Sequence, residues 1–338
     1  MIPIKGYATF HQLKHCLLGK HFTSDYFTKH VSIPKVLDPL KRIADETEED
    51  FQKLESILKE HGVTTYRPEF NEDNFNLIEE VHPPVTPRDH YAVVGETIYG
   101  TDGHRGMYES IFKNIDPSNT FIRDWEGSDQ GSLLTTANIC RVGKDIFWDY
   151  IVNDPSRFNN SNVEEIKSKW ESEGFRVHIS HRGYHSDGSF CVVKPGLIIT
   201  LGDVQDYTKT FPGWEVITVP ENPFDTLSDF YKVKKKVDGK WWVPGEENNL
   251  ELIGFVNQWL NHWVGYVEET IFDVNMLSIN ENLIICNNYN KQIFDAFKRH
   301  NVEPIVFNFR HRYFWDGGVH CITQDLYREG TIETYIDY

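Results

Sequence analysis

No two cysteines of this sequence stand at CxxC spacing, and Cys16, Cys140, Cys191, Cys286 and Cys321 are odd in number and far apart. That argues against a disulfide framework and against a structural zinc site. Long apolar runs are also missing. No stretch approaches the roughly 18 residues needed to span a bilayer. The opening MIPIKGYATFHQ lacks a basic stretch followed by an apolar run, so no signal peptide is read and a cytoplasmic location is expected. Positive charge is scarce: 34 Lys and Arg against 51 Asp and Glu give a formal net charge of −17. Such a chain repels nucleic acid and anionic membranes, so neither is expected as a partner. It would attract a small cation, although solubilising surface charge accounts for the same excess.

What is present is a repeating arrangement in 338 residues, enough chain for a large core. One recurring unit is a helix, a Gly or Asn stop and a strand. In EEDFQKLESILKEHGVTTYRP, Phe51, Leu54, Ile57 and Leu58 share a helical face with Ile43; Gly62 ends the helix and Val63 to Tyr66 form a strand. NVEEIKSKWESEGFRVHIS repeats this, with Asn162 as N-cap, Glu165 three residues on and Gly174 as the stop. DYTKTFPGWEVITVP and NKQIFDAFKRHNVEPIVFNF are further copies, stopping at Gly213 and Asn301. The other unit is strand, tight turn, strand, in HYAVVGETIYG, NICRVGKDIFW, FCVVKPGLIIT and VNMLSINENLIIC. HQLKHCLLGK reads as the first strand of the same scheme. Alternating strands and helices predict an α/β fold, and one repeated module predicts a single ring-like domain over 1–338. YKVKKKVDGKWWVPGEENN reads as a charged hairpin insertion near 230–249, turning at Asp238-Gly239. Trp259 and Trp263, four apart, predict one helical face, in the core rather than at an interface.

Four segments carry residues suited to chemistry. DGGVHCITQDLYREG places Cys321 after two glycines, which let backbone approach closely. An ordinary cysteine is only about 3% thiolate at pH 7, so a nucleophilic one needs a cation nearby. A small buried cysteine beside a turn fits the same letters. RGYHSDGSF holds His185 and Asp187, two apart; in a strand they would share a face. The histidine then moves protons while the carboxylate holds a cation. A hydrogen-bonded pair at a turn is the plainer alternative. His178, His181 and His185 match no metal-ligand spacing, so no metal is expected. Asp89 in VTPRDHYAVVG and Asn138 in TTANICRVGKDIF are weak signals alone. Both, like His185 and Asp187, lead into a strand-turn-strand unit. In a ring of such units these positions converge, gathering Asp, Asn, His and Cys in one pocket.

The same segments resemble the arginine:glycine amidinotransferases of the guanidino-group-modifying pentein superfamily. LKHCLLGK, EEDFQKLESILKEHGVTTYRP, PRDHYAVVG, TTANICRVGKDIF, HSDGSFCVVKPGLIIT and GGVHCITQDLYREGT carry the resemblance over essentially the whole chain. It implies a five-bladed, pseudo-fivefold α/β propeller with a central active site. It also implies Cys321 as nucleophile, His185 as general acid/base, and Asp187 and Asp89 as the carboxylates gripping a guanidinium. The implied reaction moves the amidino group of arginine to an amine such as glycine through an amidino-cysteine, giving ornithine and guanidinoacetate. The substrates are small molecules, and no cofactor is implied. Two departures stand out. Asn138 lies where the family has an aspartate beside the histidine, and Val204 replaces an arginine for a substrate carboxylate; Arg182 and Arg312 are candidates to take over that role. A hydrolase of the same fold (a deiminase or dihydrolase) and a non-catalytic binding module are the alternatives. Oligomeric state is not fixed by the sequence; a homodimer is the assembly to test.

Overall fold

The computed structural model describes residues 1–77, 82–101, 105–123, 136–149, 160–180, 185–201, 207–219, 235–237, 239–264 and 272–338. Hairpins and helices alternate along it as the turn residues direct. The chain begins with β1 (Gln12–Leu18), α1 (Ser24–His30), α2 (Pro34–Glu60) and β2 (Thr64–Tyr66). Then come α3 (Pro87–His90), β3 (Tyr91–Val94), β4 (Thr97–Thr101), α4 (Arg105–Phe112) and β5 (Thr120–Arg123). The next unit is β6 (Ile139–Val142), β7 (Asp145–Asp149), α5 (Asn160–Ser172) and β8 (Arg176–Ser180). It is followed by α6 (Ser186–Ser189), β9 (Phe190–Lys194), β10 (Leu197–Leu201), α7 (Tyr207–Thr210) and β11 (Glu215–Val219). The last elements are α8 (Leu250–Trp259), β12 (Leu277–Asn280), β13 (Leu283–Cys286), α9 (Lys291–Arg299), β14 (Glu303–Val306), α10 (Arg312–Trp315) and β15 (Thr323–Glu329).

These strands form five three-stranded sheets with one topology. In each, two antiparallel strands are followed by a third that lies parallel to the middle one, reached through a helix. A parallel third strand requires such a crossover, which is why helix and strand travel together in the sequence. The fold is α/β. The fifth sheet joins distant parts of the chain: β15 pairs antiparallel with β1, placing Cys16 opposite Asp325, and β1 pairs parallel with β2. The HQLKHCLLGK strand is therefore the middle strand of its sheet, not the first. Its antiparallel partner lies some 300 residues away, beyond the reach of any local pattern.

The expected helix stops occur at Gly62, Gly174, Gly213 and Asn301, all with positive φ. Several boundaries differ. Asn162 lies inside α5, which starts at Asn160. The first long helix starts at Pro34 and holds Pro39 in its interior. Proline cannot bond the carbonyl four residues earlier, normally a cost of about 3 kcal/mol. Here Asn249 Nδ2 donates to that carbonyl, of Lys35, at 2.7 Å. Trp259 and Trp263 part company: α8 ends at Trp259, which is exposed, and the chain then turns to bury Trp263 against Phe22, Phe27 and Trp315. Of the stretch 230–249, residues 230–234 and Asp238 lie outside the described residues; 235–237 is a helical turn and 239–249 carries no strand. Trp241 and Val243 from this stretch are buried in the main core. No helix among the described residues is long and apolar enough to cross a membrane.

Candidate active site

A polar side chain stands on the turn just before the first antiparallel strand of each sheet. They are Asp89 in α3, Asn138 in the turn Thr136–Asn138, Asp187 in α6, Asn275 ahead of β12 and Cys321 ahead of β15. Hydrogen bonds link these turns in a circuit. The Arg88 N–H donates to the Cys321 carbonyl (3.3 Å), and Thr136 Oγ1 donates to the Arg88 carbonyl (2.6 Å). Ser186 Oγ donates to the Ala137 carbonyl (2.7 Å), and Asn275 Nδ2 to the Asp187 carbonyl (3.3 Å). The His320 N–H donates to Asn275 Oδ1 (2.9 Å), which returns the circuit to Cys321.

All five cysteines are buried and free. Cys321 differs from the rest in its polar surroundings. Asn275 Nδ2 donates to its Sγ at 3.0 Å, and its thiol donates to Asp187 Oδ2 at 3.4 Å. Burial pushes the thiol pKa well above its ordinary value, and the charges of Asp187 and Asp89 push it further. The hydrogen bonds from Asn275 and the Gly318 backbone oppose that rise. With these carboxylates alone beside it, Cys321 is a protonated thiol. A cation seated between them would reverse the electrostatic part of the shift. The two glycines admit protein groups: a Cβ on Gly318 would lie 2.4 Å from Asn275 Oδ1, and one on Gly317 would lie 2.8 Å from Thr86 Cγ2.

Asp187 is buried. Its Oδ2 accepts from His320 Nδ1 at 2.8 Å, while its Oδ1 is buried without a hydrogen bond. Burial raises its pKa, but the His320 hydrogen bond and the charges of His320, His185 and Arg88 outweigh that and leave it below the usual value. Asp89 Oδ1 is likewise buried without a hydrogen bond. Burial drives the Asp89 pKa up against the opposing charge of His185, and Asp187 and Asp316 drive it further, to about 7. His185 Nδ1 lies 4.0 Å from Asp89 Oδ1, with the ring about half exposed. His185 caps the start of α6, and Asp187 lies within that turn, so they are not on a strand face as their spacing implied. The turn sets His185 beside Asp89 all the same, and the Asp187 charge is felt there.

Asn138 is buried, and its Oδ1 accepts no hydrogen bond. The acceptor that would hold a histidine N–H is therefore uncommitted. Arg312 is engaged elsewhere: its guanidinium donates to Asn308 Oδ1, the Phe309 carbonyl and Asn288 Oδ1. Arg182 and Val204 lie outside the described residues. His178 bonds Asp145 at 2.7 Å.

Sequence reasoning missed Asn275 and His320. The topological argument that singled out Asp89 and Asn138 points equally to the start of VNMLSINENLIIC, whose second residue is Asn275. His320 adjoins Cys321 but carried no separate signal. Also missed was a set of buried arginines. Asp325 on β15 receives Arg88 Nη1 (2.7 Å), Arg328 Nε (2.8 Å) and Arg141 Nη2. Arg328 Nη1 also donates to the His11 and Ser278 carbonyls. The three guanidiniums hold the Asp325 carboxyl well below the usual range despite its burial.

No family model matches the chain. Inosamine-phosphate amidinotransferase 1 of Streptomyces glaucescens is 21% identical over 343 residues, spanning 87% of this chain and 84% of that protein. The mitochondrial glycine amidinotransferase of Gallus gallus is 24% identical over 225 residues, or 62% of this chain and 43% of that one. An L-arginine:L-lysine amidinotransferase also matches. The curated relatives are amidinotransferases. Among solved structures, an amidinotransferase of saxitoxin biosynthesis from Microseira wollei superposes with a TM-score of 0.67 at 16% identity, covering 99% of this chain and 100% of that one. A dimethylarginine dimethylaminohydrolase adduct superposes at 0.53 and 12% identity, over 93% of this chain and 99% of that one. The structural likeness to amidinotransferase and hydrolase alike is one of fold; the sequence relationship is with the amidinotransferases.

Proposed function

We propose that the protein transfers the amidino group of arginine, or a similar guanidino donor, to an amine through an amidino-cysteine on Cys321. One observation carries this reading: Asp89 Oδ1 and Asp187 Oδ1 are both buried without a hydrogen-bond donor, beside the only cysteine bonded to both an Asn and an Asp side chain among the described residues. Buried polar atoms normally have partners. A guanidinium offers five N–H donors in a fixed plane and one positive charge, which suits two such carboxylates. Its arrival offsets the charges that keep Cys321 protonated.

The thiolate attacks the guanidino carbon, forming a C–S bond. The C–N bond to the donor breaks as His185 gives a proton to the leaving amine, so arginine would release ornithine. The acceptor amine gives a proton to His185 and attacks the amidino carbon. The C–S bond then breaks and the cysteine is restored. Glycine is the acceptor that the family resemblance implies, with guanidinoacetate as product. The five like sheets and the circuit of hydrogen bonds through their turns support reading the fold as a five-bladed propeller with this site at its centre.

The test is to incubate the protein with arginine, with and without glycine, following small products and intact protein mass by mass spectrometry. Ornithine with an amidino adduct on Cys321 is the expected result. Citrulline would move the assignment to a hydrolase, and the absence of both product and adduct would remove arginine as donor.

A further inference from the structure

Beside the circuit of turns lies a cavity of about 280 Å³ between the β6-β7-β8 and β9-β10-β11 sheets. Phe147, Trp148, Phe190, Tyr207 and Tyr338 line it. Asn138 also lines it, and its buried Oδ1 is without a hydrogen-bond donor. Ser186 belongs to the wall as well; its hydroxyl ties the turn carrying His185 and Asp187 to the turn carrying Asn138. The cavity therefore adjoins the candidate chemistry through two shared side chains.

Its charge is one-sided. Among the described lining residues there is no Lys or Arg; the ionisable groups are Asp149, His178 and the Tyr207 and Tyr338 phenols. His178 is bonded to Asp145. The Arg176 guanidinium lies 5.1 Å from the Tyr338 ring centre but is taken up by Asp145 at 2.9 and 2.6 Å and by the Ile336 carbonyl at 2.8 Å. A carboxylate entering this cavity would meet no cation among the described lining residues, which is unfavourable for a buried charge. An amine on a ring-shaped apolar body would gain aromatic contacts and place an N–H against Asn138 Oδ1.

We infer that this cavity is the acceptor subsite, and that the acceptor is a primary amine with an apolar ring body and no carboxylate. The inference rests on the proposed transfer chemistry and narrows it, setting the acceptor apart from glycine. In the second half-reaction the amine nitrogen bonds to the amidino carbon, the C–S bond to Cys321 breaks, and the amine proton leaves by way of His185.

Two measurements decide it. In the first, Cys321 is loaded with arginine, and the adduct is discharged with phenethylamine or with glycine while intact mass is followed. Phenethylamine is expected to discharge it at a half-saturating concentration at least tenfold below that of glycine; discharge by glycine at an equal or lower concentration overturns the inference. If no adduct forms, the transfer reading fails, and the subsite is judged by the second measurement. There, phenethylamine is titrated into Cys321→Ala protein by calorimetry. Saturable binding is expected, weakened at least tenfold by Thr210→Trp, which fills the cavity, and by Tyr207→Ala, which removes a wall. Absence of saturable binding, or binding unchanged in whichever of these variants retains the parent circular dichroism spectrum, overturns it.

Discussion

Two groups of buried charge lie close together in this protein and are built in opposite senses. Around Asp325, three guanidiniums meet one carboxylate, and that acid is saturated with donors. Around Cys321, Asp89 and Asp187 each leave one buried oxygen without a donor. The first group has positive charge to spare and the second negative. Arg88, beside Asp89 in sequence and bonded to Asp325, belongs to the first group, yet its charge lowers the pKa of Asp187 in the second. The lesson is that burial alone does not mark a functional charge. Asp325 is among the most buried acids and its donors all come from the fold; on the proposed function, the acids with one oxygen left without a donor are those that would take a cationic ligand.

The largest effect that sharpens this contrast is at the sulfur. Cys321→Ala should lower turnover by at least about 10⁴-fold, as removal of a covalent nucleophile does, while the thermal midpoint stays close to the parent. Retained turnover in a product assay would end the covalent mechanism. Asp325→Asn should do the reverse. Removing the one carboxylate among three buried guanidiniums should cost about 3–5 kcal/mol of stability, read from urea unfolding. Asp187→Asn should lower kcat/KM for the donor by about 100-fold or more, with a smaller stability loss than Asp325→Asn. If the two substitutions destabilise alike, the proposed division between structural and ligand-poised acids fails.

The pH dependence of donor binding is the next effect in size. Asp89 is an acid whose folded pKa is raised to about 7 from its ordinary 3.8. Between those values the folded chain holds a proton that the unfolded chain has lost, so Asp89 contributes stability at low pH that declines as pH rises through 7. A guanidinium favours the ionised form and must displace that proton below pH 7. Donor affinity for Cys321→Ala protein should therefore rise by up to about tenfold per pH unit below 7 and level off above it. Calorimetry across that range checks this, and Asp89→Asn should flatten the slope. The smallest effect is expected at Asn138. Asn138→Asp should be tolerated and raise activity on arginine by no more than about tenfold, the worth of one pKa unit on the histidine. Loss of activity there would mean the amide suits this protein's own substrate, in line with its place on the wall of the aromatic cavity.

Read as letters, the chain determined a good deal: the hairpins, the helix stops at Gly62, Gly174, Gly213 and Asn301, and the turns bearing Asp89, Asn138, Asp187 and Cys321. Those are local matters. Turn residues and hydrophobic periodicity act over a few positions, and each hairpin follows its own turn. A local rule misleads where it meets the wrong element, as with His185 and Asp187, whose spacing fits a strand face but belongs to one helical turn. Tertiary structure alone decided the rest. It paired β1 with β15, set Asn275 against the Cys321 sulfur, placed His320 on Asp187 and gathered Arg88, Arg141 and Arg328 on Asp325. Apart from Arg328, three residues from Asp325, these contacts join positions tens to hundreds of residues apart, and they exist only because like modules pack side by side and bring equivalent turns together; no periodicity within a module encodes which distant side chain its neighbour will present.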